Sequence, residues 1–366
     1  MAHSVTCEDL LTRVQQLAPV LRAHADQGER ERHLMDPVVE ALQDAGFYHL
    51  LVPRTLGGLQ ADPLTLYTVV EAIARVDGST GWCLFINGCA PISAAFLRDD
   101  AAEAIYGHGA RTIMAGSVFP YGRAVPQAGG YCVSGRWTYA SGCWHSTWFL
   151  AFCQCYADGD TAPQTTPTCA PEILVVHIPR AQIQILDTWD VSGLAATGSH
   201  DVVVEEVFVP DAFVWRLGPQ APRSTHFDDA LYRFPFAGFF SWPMAAVALG
   251  IAQGAIDEIT QVALHKTPRQ VTARCASSRS SRYSSRKLWR WCAPRAPGST
   301  KSLPRCGGKP GAVRRLPWRS VRPFSLRRPT RRAVRPRQWN WPTRPVRAAR
   351  TTGAAPCSGT CATCMR

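Results

Sequence analysis

The last 101 residues of this 366-residue chain lack carboxylates altogether. From Lys266 to Arg366 there is no Asp, Glu, Ile or His, whereas residues 1–265 hold all 27 acidic residues of the chain and 14 of its 40 Lys and Arg. The first segment therefore carries a formal charge of −13 and the second +26, and the overall charge of +13 averages two unlike pieces. The positive balance consequently does not indicate a nucleic-acid-binding surface in residues 1–265.

Glycine-rich nucleotide loops are also missing. The chain has no GxGxxG motif and no Walker loop, which excludes the common devices that hold a dinucleotide or a nucleoside triphosphate. No signal peptide is recognisable, and the cysteines before residue 266 show no framework spacing, so we expect a protein of the reducing cytoplasm. The apolar stretch Gly81–Leu97 is too short to cross a membrane and predicts a buried helix.

The hydrophobic pattern divides the first 265 residues into three blocks. Helical spacing over residues 1–110 predicts an N-terminal helical domain, in which Asp36 and Asp62 each precede a proline as an N-cap precedes the first helical residue. Residues 111–218 contain roughly six to eight short runs of β-branched and aromatic residues, which predict a central β domain. Helical spacing returns over residues 219–265. This order predicts an α+β fold rather than an alternating βαβ sheet.

Three motifs resemble the acyl-CoA dehydrogenase superfamily. They are DGSTGW (77–82), GRWTYASGCWH (135–145) and WDVSGLAATGSHDVVVEEVFVP (189–210), and they are most similar to its two-component flavin monooxygenases, which hydroxylate aromatic and steroid-derived substrates. The resemblance extends over about residues 10–264. It implies a helical N-terminal domain, a central β-barrel-like domain and a C-terminal helical bundle, usually in a homotetramer, with FAD or FMN between the strands and the bundle.

The resemblance also implies a position for the flavin. Ser141 takes the place of a hydroxyl that hydrogen-bonds flavin N5, which makes it a candidate catalytic residue, and Tyr139 that of an aromatic side chain covering the ring. AGSVFPYG matches the segment that holds the pyrimidine edge, with Ser117, Val118 and Phe119 at its centre. On residue chemistry alone, the alternative is that Ser141 ends a strand and Tyr139 belongs to the core.

Two histidines and a tryptophan are further candidates. His145 has an imidazole that titrates near neutrality and is considered as a catalytic acid or base, the alternative being a satisfied histidine at a surface or interface. His200 is a candidate for the mouth of the substrate pocket, although turn chemistry explains its TGSHD loop equally well. Trp82 is a candidate for the wall of the substrate cavity or, alternatively, a packed core residue. No metal site is predicted.

The carboxylates discriminate between two reactions of the superfamily. An acyl-CoA dehydrogenase draws from its C-terminal helical domain a carboxylate that removes the proton alpha to the thioester carbonyl. Here the last carboxylate is Glu258, and the sequence after it supplies no carboxylate for this role. A monooxygenase needs a dry pocket and a donor at N5 instead. The residues therefore favour the oxygenase component of a two-component hydroxylase, with a small-molecule substrate and a separate flavin reductase, over the alternative, an acyl-CoA dehydrogenase.

The substrate class receives one further indication. Where phenol-hydroxylating relatives place a substrate-binding histidine, this chain has NGCAPIS (87–93), which argues against a phenolic substrate.

Residues 266–366 admit three interpretations. Their 26 Lys and Arg suit a nucleic-acid arm or a disordered linker, but such segments avoid the five Trp and six Cys found here. A slipped reading frame explains the composition better, because GC-rich codons read out of register give Arg, Pro, Trp and Cys but few acids. CSGTCATC (357–364) has an iron–sulfur-like spacing without the surrounding pattern. We therefore expect a truncated or garbled C-terminal bundle, with no tetramer and no nucleic-acid or membrane partner.

Overall fold

The computed structural model of the chain describes residues 5–107, 109, 111–166, 170–218 and 221–266. Within them, helices come first, strands second and one long helix last, which confirms the predicted α+β order. The α-helices are α1 (Cys7–Glu31), α2 (Asp36–Asp44), α3 (Pro63–Val76), α4 (Gly78–Cys89), α5 (Asp99–Tyr106) and α6 (Gly238–His265). The interpretations of the tail concern residues that, beyond Lys266, lie outside the described part.

The strands lie between α5 and α6 in the chain, and short 3₁₀ helices occur both before α5 and among the strands. The strands are β1 (Met114–Gln127), β2 (Gly130–Trp137), β3 (Trp148–Cys155), β4 (Ile173–Pro179), β5 (Gln184–Leu186), β6 (Asp201–Pro210) and β7 (Val214–Arg216). The 3₁₀ helices are Phe47–His49, Arg54–Leu56, Ala90–Phe96, Cys143–His145, Arg180–Gln182, Ala195–Thr197, Asp211–Phe213, Thr225–Phe227 and Ala230–Arg233.

The aspartates read as helix caps behave differently at α2 and α3. At α3 the Asp62 carboxylate accepts hydrogen bonds from the backbone N–H groups of Leu64 and Thr65, as predicted. The expectation for Asp36 is wrong, because α2 begins at Asp36 itself. The carbonyl of Met35 already accepts from the N–H groups of Val38 and Val39, so the helix starts one residue earlier than the sequence indicated.

A single seven-stranded sheet forms the middle of the chain. Its order is β5-β6-β2-β1-β3-β4-β7, with β1 and β3 parallel and the other neighbours antiparallel. On β3, Leu150 and Phe152 pack into the core shared with the helices, while Phe149 and Ala151 pack into a second core on the other face. Burial on both faces explains why β3 reads as a continuous apolar run rather than an alternating one.

The parallel pairing of β1 with β3 is interrupted. Residues 114–117 pair with 148–151 and pairing resumes at Gly122 with Cys153, so residues 118–121 have no partner on β3. The buried indole of Trp137 occupies the space above Gly122, where an added Cβ would lie 2.2 Å from the ring. Glycine is therefore required at this close approach, and the interruption frees residues 118–121 from the ladder.

Helix α6 packs against α3 through small residues. A Cβ added at Gly250 would lie 2.4 Å from the carbonyl oxygen of Glu71, and one at Gly254 would lie 2.5 Å from that of Arg75. Elsewhere α6 exposes large apolar side chains: Trp242, Met244, Leu249, Ile251, Ile259, Val262 and Leu264. Among the described helices it alone is long and apolar enough to cross a membrane, but a bundle helix without its neighbours has the same composition.

Candidate functional site

An apolar cleft of about 480 Å³ lies between α4, β1, the end of β2 and the start of α6. Four of the predicted flavin-binding residues line it together: Ser117, Val118, Phe119 and Tyr139. Ile86 from α4 and Phe236 and Phe240 from the segment entering α6 complete its apolar wall. None of the described residues that line it is a carboxylate, so the cleft suits a flat apolar or aromatic group rather than a cation.

Tyr139 stands in the cleft wall and not in the core. Its side chain is 71% exposed, and its backbone has a φ of 58°, which is uncommon for a residue with a side chain. Two hydrogen bonds hold this turn, one from the Ala140 N–H to the carbonyl of His200 and one from the Ser141 N–H to the carbonyl of Tyr139. A strained residue kept by its surroundings at a cleft is typical of a binding site.

The segment freed from the β1–β3 ladder is tied to the end of β2. The Ser117 hydroxyl donates to the carbonyl of Thr138 (2.5 Å), and the N–H and hydroxyl of Thr138 donate to the carbonyl of Phe119 (3.3 and 3.2 Å). The side chain of Phe119 is nevertheless 60% exposed. The site thus presents an exposed aromatic ring beside backbone that β3 does not pair, which is the combination that a planar ring with a polar edge requires.

Ser141, the fifth predicted flavin-binding residue, is not among the residues that line the cleft; it is 4% exposed and lies in a buried chain of hydroxyl groups. Its Oγ accepts a hydrogen bond from Trp82 Nε1 (3.0 Å) and lies 2.7 Å from Ser199 Oγ. Ser199 Oγ is 2.8 Å from Thr197 Oγ1, which donates to the carbonyl of Leu194 (2.8 Å). The chain joins α4, the loop after β2 and the loop before β6.

Asn87 connects Ser141 to His145. Its amide nitrogen donates to the carbonyls of Met114 (3.0 Å) and Ser141 (3.4 Å), and its Oδ1 lies 3.3 Å from His145 Nε2. Since Oδ1 can only accept, the network assigns the His145 proton to Nε2. His145 Nδ1 is buried with no partner among the described residues, as is the hydroxyl of the neighbouring Tyr48.

Burial keeps His145 neutral. It lowers the pKa of His145 to about 4, with a smaller contribution from the nearby His33. At neutral pH the ring therefore holds one proton, which Asn87 engages, and its free nitrogen can only accept. This geometry suits a group that positions its neighbours better than one that delivers a proton.

Trp82 and His200 lie beside the cleft rather than in its lining. The half-buried Trp82 packs edge-on against Phe85, with ring centroids 5.4 Å apart. His200 is 3% exposed, and its Nδ1 accepts from the backbone N–H groups of Thr188 and Trp189, so it fixes the loop before β6. Burial lowers the pKa of His200, which favours the neutral form that accepts these bonds.

Three contributors to this region were not singled out from the sequence. Asn87 had a detectable signal, because it is a polar residue inside an apolar helical stretch. Ser199 was obscured by the turn chemistry of its loop. Glu29 gave no signal in the sequence. Its carboxylate accepts hydrogen bonds from the Ser79 hydroxyl (2.5 Å) and from the N–H groups of Ala195 (3.0 Å) and Ala196 (3.2 Å). These bonds anchor the loop that carries Ser199 to α1.

Comparison with known proteins places the chain and its fold in a family. The family described as acyl-CoA dehydrogenase, N-terminal domain, matches residues 8–98. The flavin-dependent monooxygenase oxygenase subunit HsaA of Rhodococcus jostii (strain RHA1) is 34% identical over 251 residues, which cover 68% of this chain and 63% of that protein. The solved HsaA monooxygenase of M. tuberculosis is 30% identical with a TM-score of 0.64, over 73% of this chain and 69% of that one. The chain belongs to the acyl-CoA dehydrogenase superfamily.

Within the superfamily the similarity points to the flavin-dependent monooxygenases. XiaF from Streptomyces sp., solved with FADH2 and glycerol, is 25% identical with a TM-score of 0.67, over 77% of this chain and 70% of that one. The chain spans 59 to 63% of the length of the first three curated relatives that it matches. The predicted acyl-CoA dehydrogenase-like fold is thus confirmed for this superfamily member.

Proposed function

We propose that this chain is the oxygenase component of a two-component flavin-dependent hydroxylase. The observation that carries the proposal is the apolar cleft that Ser117, Phe119 and Tyr139 line, whose described lining contains aromatic rings and no carboxylate. Bound reduced flavin, FAD or FMN, would supply the chemistry that activates O₂. An apolar wall excludes the water that would otherwise divert a reactive oxygen species from a small-molecule substrate.

The residues present fit a flavin ring. Phe119 and Tyr139 would contact the faces of the isoalloxazine, and backbone of residues 118–121 would bind its polar pyrimidine edge beside Ser117 and Val118. Ser141 would lie at N5. We propose that His145 acts through Asn87 on the backbone of Ser141, and that Trp82 and His200 hold the surrounding loops, since each is fixed by hydrogen bonds outside the cleft lining.

The alternative, an acyl-CoA dehydrogenase, would need a carboxylate at the same cleft. The last carboxylates of α6, Asp257 and Glu258, instead line a separate groove together with residues of α1 and α3. Asp257 is also paired with Arg75 at 2.6 Å. Neither carboxylate is therefore placed to remove a proton from a thioester in the cleft.

A separate reductase and a cytoplasmic location complete the proposal. An oxygenase component holds no group that draws electrons from a nicotinamide, so reduced flavin must come from another protein. The seven described cysteines are free thiols, which suits a reducing compartment. We expect weak flavin binding and no homotetramer, because the resemblance to the family ends near residue 264, before the rest of its C-terminal bundle. A yellow, stoichiometric flavoprotein tetramer would contradict this expectation.

Anaerobic titration of the purified chain with reduced FMN and reduced FAD tests the proposal. Phe119→Ala and Tyr139→Ala should each weaken binding about tenfold, as loss of one stacked ring predicts. Phe208→Ala is the matched control, because Phe208 is an exposed phenylalanine of β6 outside the cleft lining. Failure to bind either flavin in either redox state would refute the proposal, and bleaching of bound flavin by an acyl-CoA would favour the dehydrogenase.

A further inference from the structure

The direction of the hydroxyl chain behind the cleft is fixed at both ends. At one end Trp82 Nε1–H can only donate, so Ser141 Oγ accepts from it. At the other end the carbonyl of Leu194 can only accept, so Thr197 donates its single hydroxyl proton to it. Ser199 must then donate to Thr197, and Ser141 must donate to Ser199. Each hydroxyl group in this chain therefore donates its proton toward Leu194.

This direction makes Ser141 an acceptor toward any further partner. Its proton is directed to Ser199, one lone pair receives Trp82, and the remaining lone pair can take only a donor. Reversing the chain would free the Ser141 proton but would withdraw the Thr197 hydroxyl from the carbonyl of Leu194. Loss of that one buried hydrogen bond disfavours the reversed chain by roughly three- to tenfold.

We propose that this chain of hydroxyl groups selects the redox state of the flavin. N5 of oxidised flavin accepts a hydrogen bond, whereas N5 of reduced flavin carries a hydrogen and donates one. An acceptor at Ser141 therefore matches reduced flavin and replaces the donor at N5 that was expected from the sequence, whereas a donor there would match oxidised flavin. The inference rests on the proposed function and assigns Trp82, Ser199 and Thr197 as positioning residues that act through Ser141.

The test compares the dissociation constants of oxidised and reduced FMN and FAD, measured anaerobically with the full chain. Ser199→Ala removes the acceptor of the Ser141 proton, so the ratio of the oxidised to the reduced constant should fall about three- to tenfold. Thr197→Val, nearly equal in shape, lets the Ser199 proton turn to Ser141 and should lower the ratio in the same direction. Ser146→Ala is the control, because this buried serine of the same region donates to the carbonyl of Cys143 outside the chain.

The outcomes separate the inference from the function beneath it. A wild-type chain that binds reduced flavin more tightly than oxidised flavin, with the ratio lowered in Ser199→Ala and Thr197→Val but not in Ser146→Ala, supports the inference. Flavin binding with an equal ratio in all four proteins overturns it and leaves the oxygenase proposal standing. Absence of binding in either redox state overturns both.

Discussion

Lowering the pH should destabilise the folded chain through His177 of β4. The side chain is fully buried, with Nε2 2.8 Å from Ser93 Oγ and Nδ1 3.2 Å from the carbonyl of Phe213. That carbonyl can only accept, so the neutral ring carries its proton on Nδ1, and its Nε2 shares the Ser93 hydroxyl proton with the carbonyl of Ala90, which lies 2.8 Å from Ser93 Oγ. Burial lowers the pKa of His177 to about 4.

The magnitude follows from the difference between the folded and unfolded pKa values of His177. An unfolded histidine has a pKa of about 6.5, so between pH 6.5 and about 4 the unfolded chain binds a proton that the folded chain does not. The free energy of unfolding therefore falls as the pH falls through this window. From pH 7 to pH 5 the loss is about 2 kcal/mol, and below the folded pKa it reaches about 3 kcal/mol.

Urea unfolding of the wild type and of His177→Gln at pH 7 and pH 5 measures this loss. The amide of glutamine can hydrogen-bond Ser93 Oγ in either direction but does not titrate, so the variant should lose about 2 kcal/mol less than the wild type on acidification. His265→Gln, at the exposed end of α6, is the control and should keep the wild-type pH dependence. An equal loss in His177→Gln and in the wild type would show that His177 is not buried as a neutral ring.

Two further predictions concern stability around the site. Gly142→Ala should lower the free energy of unfolding by more than about 2 kcal/mol, because φ is 72° and the added Cβ would lie 2.4 Å from Asn87 Oδ1. Gly159→Ala has a φ of 77° but no atom within 4 Å of the added Cβ, so it should lower this free energy by only about 1 kcal/mol. Equal melting temperatures of the Gly142→Ala and Gly159→Ala variants would contradict the steric part of this reasoning. Asn87→Leu should cost about 3 kcal/mol in urea unfolding, because it leaves His145 Nε2 and the carbonyl of Ser141 unpaired; a loss below about 1 kcal/mol would be inconsistent with these bonds.

The order of elements was predictable because it depends on local pattern. The carboxylate of Asp62 caps α3 as its position before Pro63 indicates, and the apolar run of β3 marks a strand buried on both faces. Asp36 shows the limit, because the same Asp–Pro signal lies one residue after the actual N-cap of α2, which is Met35. The sequence pattern does not predict the interruption of β1, because this interruption depends on the indole of Trp137 lying against Gly122.

The site was predictable only in part, for the same reason. Tyr139 and Phe119 were found through a motif, but residue chemistry alone also allowed Tyr139 to lie in the core. Its exposure on the cleft wall is a property of the fold. The partners of Ser141 were not readable, because Trp82 is 59 residues before it and Ser199 is 58 residues after it. Which polar side chains meet across such separations depends on how α4 and the loop before β6 pack against the sheet.

The polar and apolar halves of the site depend on different parts of the chain. Every group of the hydroxyl chain, together with Asn87 and His145, comes from residues 82–199, and Glu29 anchors the loop that carries two of them. The apolar cover depends instead on the segment entering α6, which supplies Phe236 and Phe240 to the cleft wall. A change in this apolar cover should therefore weaken flavin binding in both redox states alike, because the groups that distinguish the two states of N5 are held by the N-terminal helices and the sheet.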